Sequence, residues 1–101
     1  MKAIHKKPGQ KPEIIEIDNK LDALREAVGG HIEAVTDRLI SGPIAILCDE
    51  EGRLKGKPHN TVVGSVDFVG DILIVGVKDD DFTDLKEEQA NFLIDELSGN
   101  F

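Results

Sequence analysis

Apolar and polar positions change rhythm along this chain, and each rhythm predicts an element. In residues 13–18, Glu13, Ile15 and Ile17 alternate with Ile14, Glu16 and Asp18. That alternation suits a half-buried strand. Residues 2–7 also read as a strand, and the Pro8-Gly9 break between the two predicts an N-terminal hairpin. From residue 19 the period lengthens. Leu21, Leu24 and Val28 fall on one face of a helix over 19–28, with Asn19 in capping position, Asp22 three residues on, and Gly29 at the left-handed end.

Residues 31–35 give a third strand. Residues 43–48 are apolar at nearly every position, the pattern of a central strand buried on both faces. A turn at 49–52 leads into a polar loop expected over 53–64. Strand character returns from Val66 to Val77, is broken at Gly70-Asp71, and includes the apolar run Ile72-Leu73-Ile74-Val75. A last helix is expected over 84–97, capped by Thr83, with Leu85, Phe92, Leu93 and Leu97 as its apolar stripe. Asp84, Glu87 and Glu88 in its early turns suit the positive end of the helix dipole. The elements predict an α+β fold in the order β-β-α-β-β-β-α. One layer of about five mostly antiparallel strands carries two helices.

The length of 101 residues fits a single domain, 1–101. With no Trp or Tyr and only four Phe, its core has to be built from Ile, Val and Leu. The net charge of −8 and pI near 4.7 argue against gripping nucleic-acid phosphates directly or lying on an anionic membrane. The single cysteine, Cys48, cannot form an internal disulfide. The start MKAIHKKPG lacks the apolar stretch of a signal peptide, and no apolar run approaches the ~18 residues of a membrane span. A cytoplasmic location is therefore expected.

Candidate chemistry concentrates in two places. Arg53, Lys55, Lys57, His59 and Asn60 gather donors in a chain short of positive charge, and Gly52 and Gly56 permit close backbone approach. Such a loop suits an anionic ligand, although it matches no Walker A or dinucleotide fingerprint. Asp79, Asp80, Asp81, Asp84, Glu87 and Glu88 belong to a C-terminal stretch that holds eight acids against two lysines from residue 78 onward. That stretch suits a protein-interaction face or a mimic of DNA phosphates. It lacks the alternating ligands of a calcium loop, and no His or Cys pair has zinc-ligand spacing. Cys48 ends an apolar strand, where a packed thiol is expected rather than a nucleophile. No catalytic residue, metal or cofactor is assigned.

The order of motifs resembles one family across nearly the whole chain. Those motifs are Ile15-Glu16-Ile17-Asp18, Val28-Gly29-Gly30-His31-Ile32-Glu33, Asp49-Glu50-Glu51-Gly52, Pro58-His59-Asn60, Val69-Gly70-Asp71-Ile72-Leu73 and Phe82-Thr83-Asp84. The family is an uncharacterised domain-of-unknown-function family carried by phages, plasmids and conjugative elements of Gram-positive and gut bacteria. The resemblance implies no catalytic residue. It implies a setting of small accessory proteins on mobile DNA, many of which counter host defences. The expected function is a non-enzymatic binding module that masks a host protein or sequesters an anionic nucleotide signal. One alternative is an acidic DNA mimic or protein-interaction domain that occupies a DNA-binding protein. Another is a housekeeping role, and a small hydrolase or transferase ranks last. Homodimerisation through a free sheet edge is possible, with Phe101 as a further anchor.

Overall fold

The computed structural model describes residues 1–99. It is an α+β fold of eight strands and two helices: β1 (Lys2–Lys6), β2 (Glu13–Glu16), α1 (Leu21–Val28), β3 (Ile32–Leu39), β4 (Gly42–Asp49), β5 (His59–Val63), β6 (Val66–Val69), β7 (Ile72–Lys78), β8 (Asp81–Thr83) and α2 (Glu87–Ser98). Six strands form one antiparallel sheet in the order β2-β1-β7-β4-β3, with β8 extending β7 beyond the end of β1. The other two, β5 and β6, make a separate two-stranded ribbon.

The apolar runs of β4 and β7 lie at the centre because both sheet faces are covered. On one face Ala45, Leu47, Leu73 and Val75 meet Leu24 and Val28 of α1. On the other, Ile44, Ile46, Ile72 and Ile74 meet Phe68 of the ribbon and Ala90, Leu93 and Leu97 of α2. The ribbon tip reaches β3, where the Asp37 carboxylate lies 2.9 Å from the place a Cβ on Gly64 would occupy.

Several boundaries differ from the expectation. The expected loop over 53–64 ends early, because residues 59–63 are strand β5. It pairs with β6 in a ribbon, and its polar residues Asn60 and Thr61 are buried, so no apolar alternation marks it. The strand total is correspondingly higher than about five. Asn19 does not cap α1; its amide donates to the Phe82 carbonyl at 2.9 Å, and the helix starts at Leu21. Thr83 does not cap α2 either, since it pairs with Gly76 in β8. The chain then runs extended past buried Leu85, and Gln89 Oε1 accepts the Lys86 N–H at 3.2 Å. The buried stripe of α2 runs through Gln89, Ala90, Leu93 and Leu97, and Phe92, about 100° round the helix from Leu93, turns outward, 43% exposed. Buried Gln89 faces the sheet in its place and donates to the Leu39 and Gly42 carbonyls at 3.0 and 3.1 Å. Gly29 ends α1 with φ +80, as its position predicted. Phe101 lies outside the described residues.

Candidate functional site

The five donors expected to form one anion-binding loop separate into three groups. Lys55 and Lys57 turn back onto Asp49, whose carboxylate is fully buried; Nζ to Oδ2 distances are 2.7 and 2.8 Å. Lys57 Nζ also donates to the Val28 and Gly29 carbonyls at 3.0 and 3.3 Å, and Lys55 Nζ reaches Gly29 O at 3.3 Å. These are the orphan acceptors at the C-terminus of α1, where positive charge is favoured. Asp49 Oδ1 accepts the Glu51 N–H at 2.9 Å. Burial by itself would raise the pKa of Asp49. The bonds from Lys55, Lys57 and Glu51 outweigh it and hold the carboxyl far below the usual range. Gly30 leaves room for this brace, since a Cβ there would collide with the Asp49 carboxylate.

Arg53 and His59 form the second group, both on Asp67 of β6. Arg53 donates to the Asp67 carbonyl at 2.6 Å, and His59 Nε2 lies 2.6 Å from its carboxylate. Asn60 is the third. A register shift between His59 and Thr61 turns it out of the ribbon ladder and into the core. There its Oδ1 accepts from Lys6 Nζ at 2.9 Å, and its amide donates to the carbonyls of Lys6 at 2.8 Å and Gly70 at 2.7 Å. Lys6 is fully buried, and desolvation lowers its pKa. Nothing in the sequence marks it, because an alternating strand normally sends lysine outward. Cys48 is buried at the end of β4 as expected of a packed thiol. Burial first, then the Glu33 and Asp49 charges, push it up to about 11.

The six acidic candidates gather at one end of the sheet, where the β3–β4 and β7–β8 turns lie. Asp79 and Asp80 form the β7–β8 turn with φ 52 and 62. Asp81 Oδ1 accepts the Phe82 N–H at 2.7 Å and Asp84 Oδ1 that of Lys2 at 2.6 Å. Glu87 and Glu88 open α2, and Glu88 accepts the Ser41 hydroxyl at 2.7 Å, which lowers its pKa.

Beside this acidic end lies a feature that sequence reading missed. A cavity of about 320 Å³ runs between α2 and the ribbon, lined by Leu39, Ile44, Val62, Val63, Phe92 and Leu93, with Asp37, Arg38 and Glu96 at its rim. Val62 and Phe92 are half exposed at its mouth, and Ile40, the residue after Leu39, is 64% exposed. Ile40 also has φ +55, a left-handed conformation that a β-branched residue rarely adopts. The available signal was Ile40 itself, an apolar residue standing where a tight hairpin turn ordinarily uses glycine.

The sequence model of the domain-of-unknown-function family DUF3846 matches residues 1–98. The chain belongs to the DUF3846 family. No curated protein and no solved structure matches it. Among the described residues of this DUF3846 domain, no three His, Cys, Asp or Glu side chains gather as they would around a metal ion. None of its described helices is long and apolar enough to cross a membrane.

Proposed function

We propose that this DUF3846 domain is a non-catalytic binding module that docks a partner protein. The observation that carries the reading is Ile40. A left-handed β-branched residue costs roughly 1–2 kcal/mol, and this one spends that energy to hold an apolar side chain in water. It follows Leu39, which lines the groove that has Val62 and Phe92 at its mouth, and an exposed apolar patch rimmed by polar groups is the usual mark of a protein interface. The neighbouring acidic end would steer a basic partner and slow its approach as salt rises. A DNA-binding protein of the host, approached through its phosphate-binding face, fits that chemistry. The mobile-element setting implied by the family resemblance makes a host defence protein the first partner to try.

The test is affinity purification from host lysate with the natural chain and with the double variant Val62→Glu/Phe92→Glu. A partner held by the first and lost by the second, at unchanged circular dichroism, supports the reading. Equal capture by both refutes it.

A second reading, sequestration of an anionic nucleotide, is favoured by a cavity of about 440 Å³ at the opposite end of the sheet. Lys7, Gln10 and Lys57 line it beside the carboxylates Glu26 and Asp71, and the Lys57 amine is held by Asp49, so Lys7 is the cation left to meet an anion there. Thermal melts against a nucleotide panel test it. Ligand at about 100-fold its dissociation constant adds ~2.7 kcal/mol, and no rise with any nucleotide removes this reading.

A further inference from the structure

Strand β3 is the edge of the six-stranded sheet, paired with β4 alone, and alternate residues of its eight turn their backbone groups away from β4 toward the open side. Its side chains on the ribbon side alternate acidic and apolar: Glu33, Val35, Asp37, Leu39. Two cavities open along this side. One, of about 190 Å³, is lined by Glu33, Val35, Cys48, Val66 and Phe68. The other is the groove at Asp37, Leu39, Val62 and Phe92. Backbone on offer with side-chain pockets at alternate positions is the arrangement that accepts an added strand.

We infer that β3 is a docking edge for an extended basic segment of a partner protein, one that sets Lys or Arg opposite Glu33 and Asp37 and apolar side chains opposite Val35 and Leu39. The inference rests on the protein-binding reading above and deepens it by naming the partner's chemistry.

Symmetry disfavours a second copy at the same place. Two identical antiparallel strands related by a two-fold axis keep the same sheet face, so the axis must pass through a residue and its own copy. Two such registers pair seven of the strand's eight residues. The one centred on Val35 sets Glu33 opposite Asp37 on both sides of the axis, and like charges directly opposite are destabilising. The one centred on Thr36 sets Val35 opposite Asp37 and Glu33 opposite Leu39, leaving each acid facing an apolar neighbour. A basic strand meets neither obstacle.

The experiment is a titration of the ¹⁵N-labelled full chain with the peptide Leu-Thr-Lys-Thr-Val-Thr-Lys, followed by amide chemical shifts. The expected result is saturable shifts confined to Ile32–Leu39 and to the residues lining the two cavities. Affinity should drop at least tenfold for the peptide with Glu replacing Lys and for the peptide N-methylated at alternate residues. The double variant Glu33→Lys/Asp37→Lys is expected to reverse the preference, binding the Glu peptide over the Lys peptide. It keeps like charges opposed, so it stays monomeric. Three results would overturn the inference: shifts centred on Asp79–Asp81 and Glu87, binding indifferent to N-methylation, or sedimentation of the natural chain as a dimer. The groove variants at Val62 and Phe92 test the protein-binding reading, and the Glu33 and Asp37 variants test the edge, so the two can fail separately.

Discussion

Replacing Asn60 with Ala should be among the most damaging single changes outside the apolar core. The substitution removes three hydrogen bonds at once: from Lys6 Nζ, to Lys6 O and to Gly70 O. Each is worth about 1 kcal/mol net, and stranding a buried charged donor costs more, about 1.5–3 kcal/mol. Lys6 Nζ would keep only the Lys7 carbonyl, at 3.4 Å. The sum is a loss of about 4 kcal/mol, a large share of the 5–15 kcal/mol that holds an ordinary domain folded. At roughly 4–8 °C per kcal/mol for a domain near this size, the melting temperature should drop by about 15–30 °C. Urea unfolding followed by circular dichroism measures the loss. The double variant Lys6→Met/Asn60→Leu removes the stranded amine and should recover about 2 kcal/mol of it. A loss under about 1 kcal/mol for Asn60→Ala, or a double variant no better than the single one, refutes the claim that Asn60 serves a buried lysine.

Asp49→Asn should cost about 2 kcal/mol, below the 3–5 kcal/mol of a fully buried pair because Lys55 is 43% exposed and can turn to water. The Asp49 pKa is depressed in the fold, so its contribution is present above about pH 4 and is lost as pH falls from there. Acid titration should accordingly show the natural chain losing stability below pH 4 that the variant never had, and parallel curves would contradict the brace. At the alkaline end the sign reverses for Cys48. Its folded pKa lies near 11, so an unfolded thiol titrates first and stability falls as pH rises from about 9; Cys48→Ala should flatten that fall in chemical denaturation series. Ile40→Gly should raise stability by about 1 kcal/mol by relieving the left-handed strain while weakening capture of the partner protein. A lower melting temperature would mean that Ile40 makes stabilising contacts within the fold.

How much of this was legible from the sequence depends on which way burial writes itself. Residues 43–48 and 72–75 announced a two-sided central sheet, because burial on both faces leaves an unbroken apolar run. Gly29 announced the end of α1. The ribbon did not announce itself, since Asn60 and Thr61 are buried polar residues in a bulged strand. Lys55 and Lys57 were read as donors for an anionic ligand, and their acceptor within the fold was hidden. Asp49, Glu50 and Glu51 stand together, and nothing local says that only the first turns inward. Phe92 was misplaced with the core because Leu93 and Leu97 share their face with Gln89 and Ala90, and polar Gln89 hid that face from a count of apolar residues while Phe92 falls at its edge.

The alternation along β3 also bears on how such a domain can change its assembly state over evolutionary time. Because a two-fold axis doubles every contact, one exchanged side chain acts twice. In the register centred on Val35, Glu33→Lys alone would turn both repulsions with Asp37 into attractions, beside a Val35–Val35 contact at the axis. On the edge-docking inference, a single charge reversal at Glu33 is therefore enough to favour a homodimer in that register.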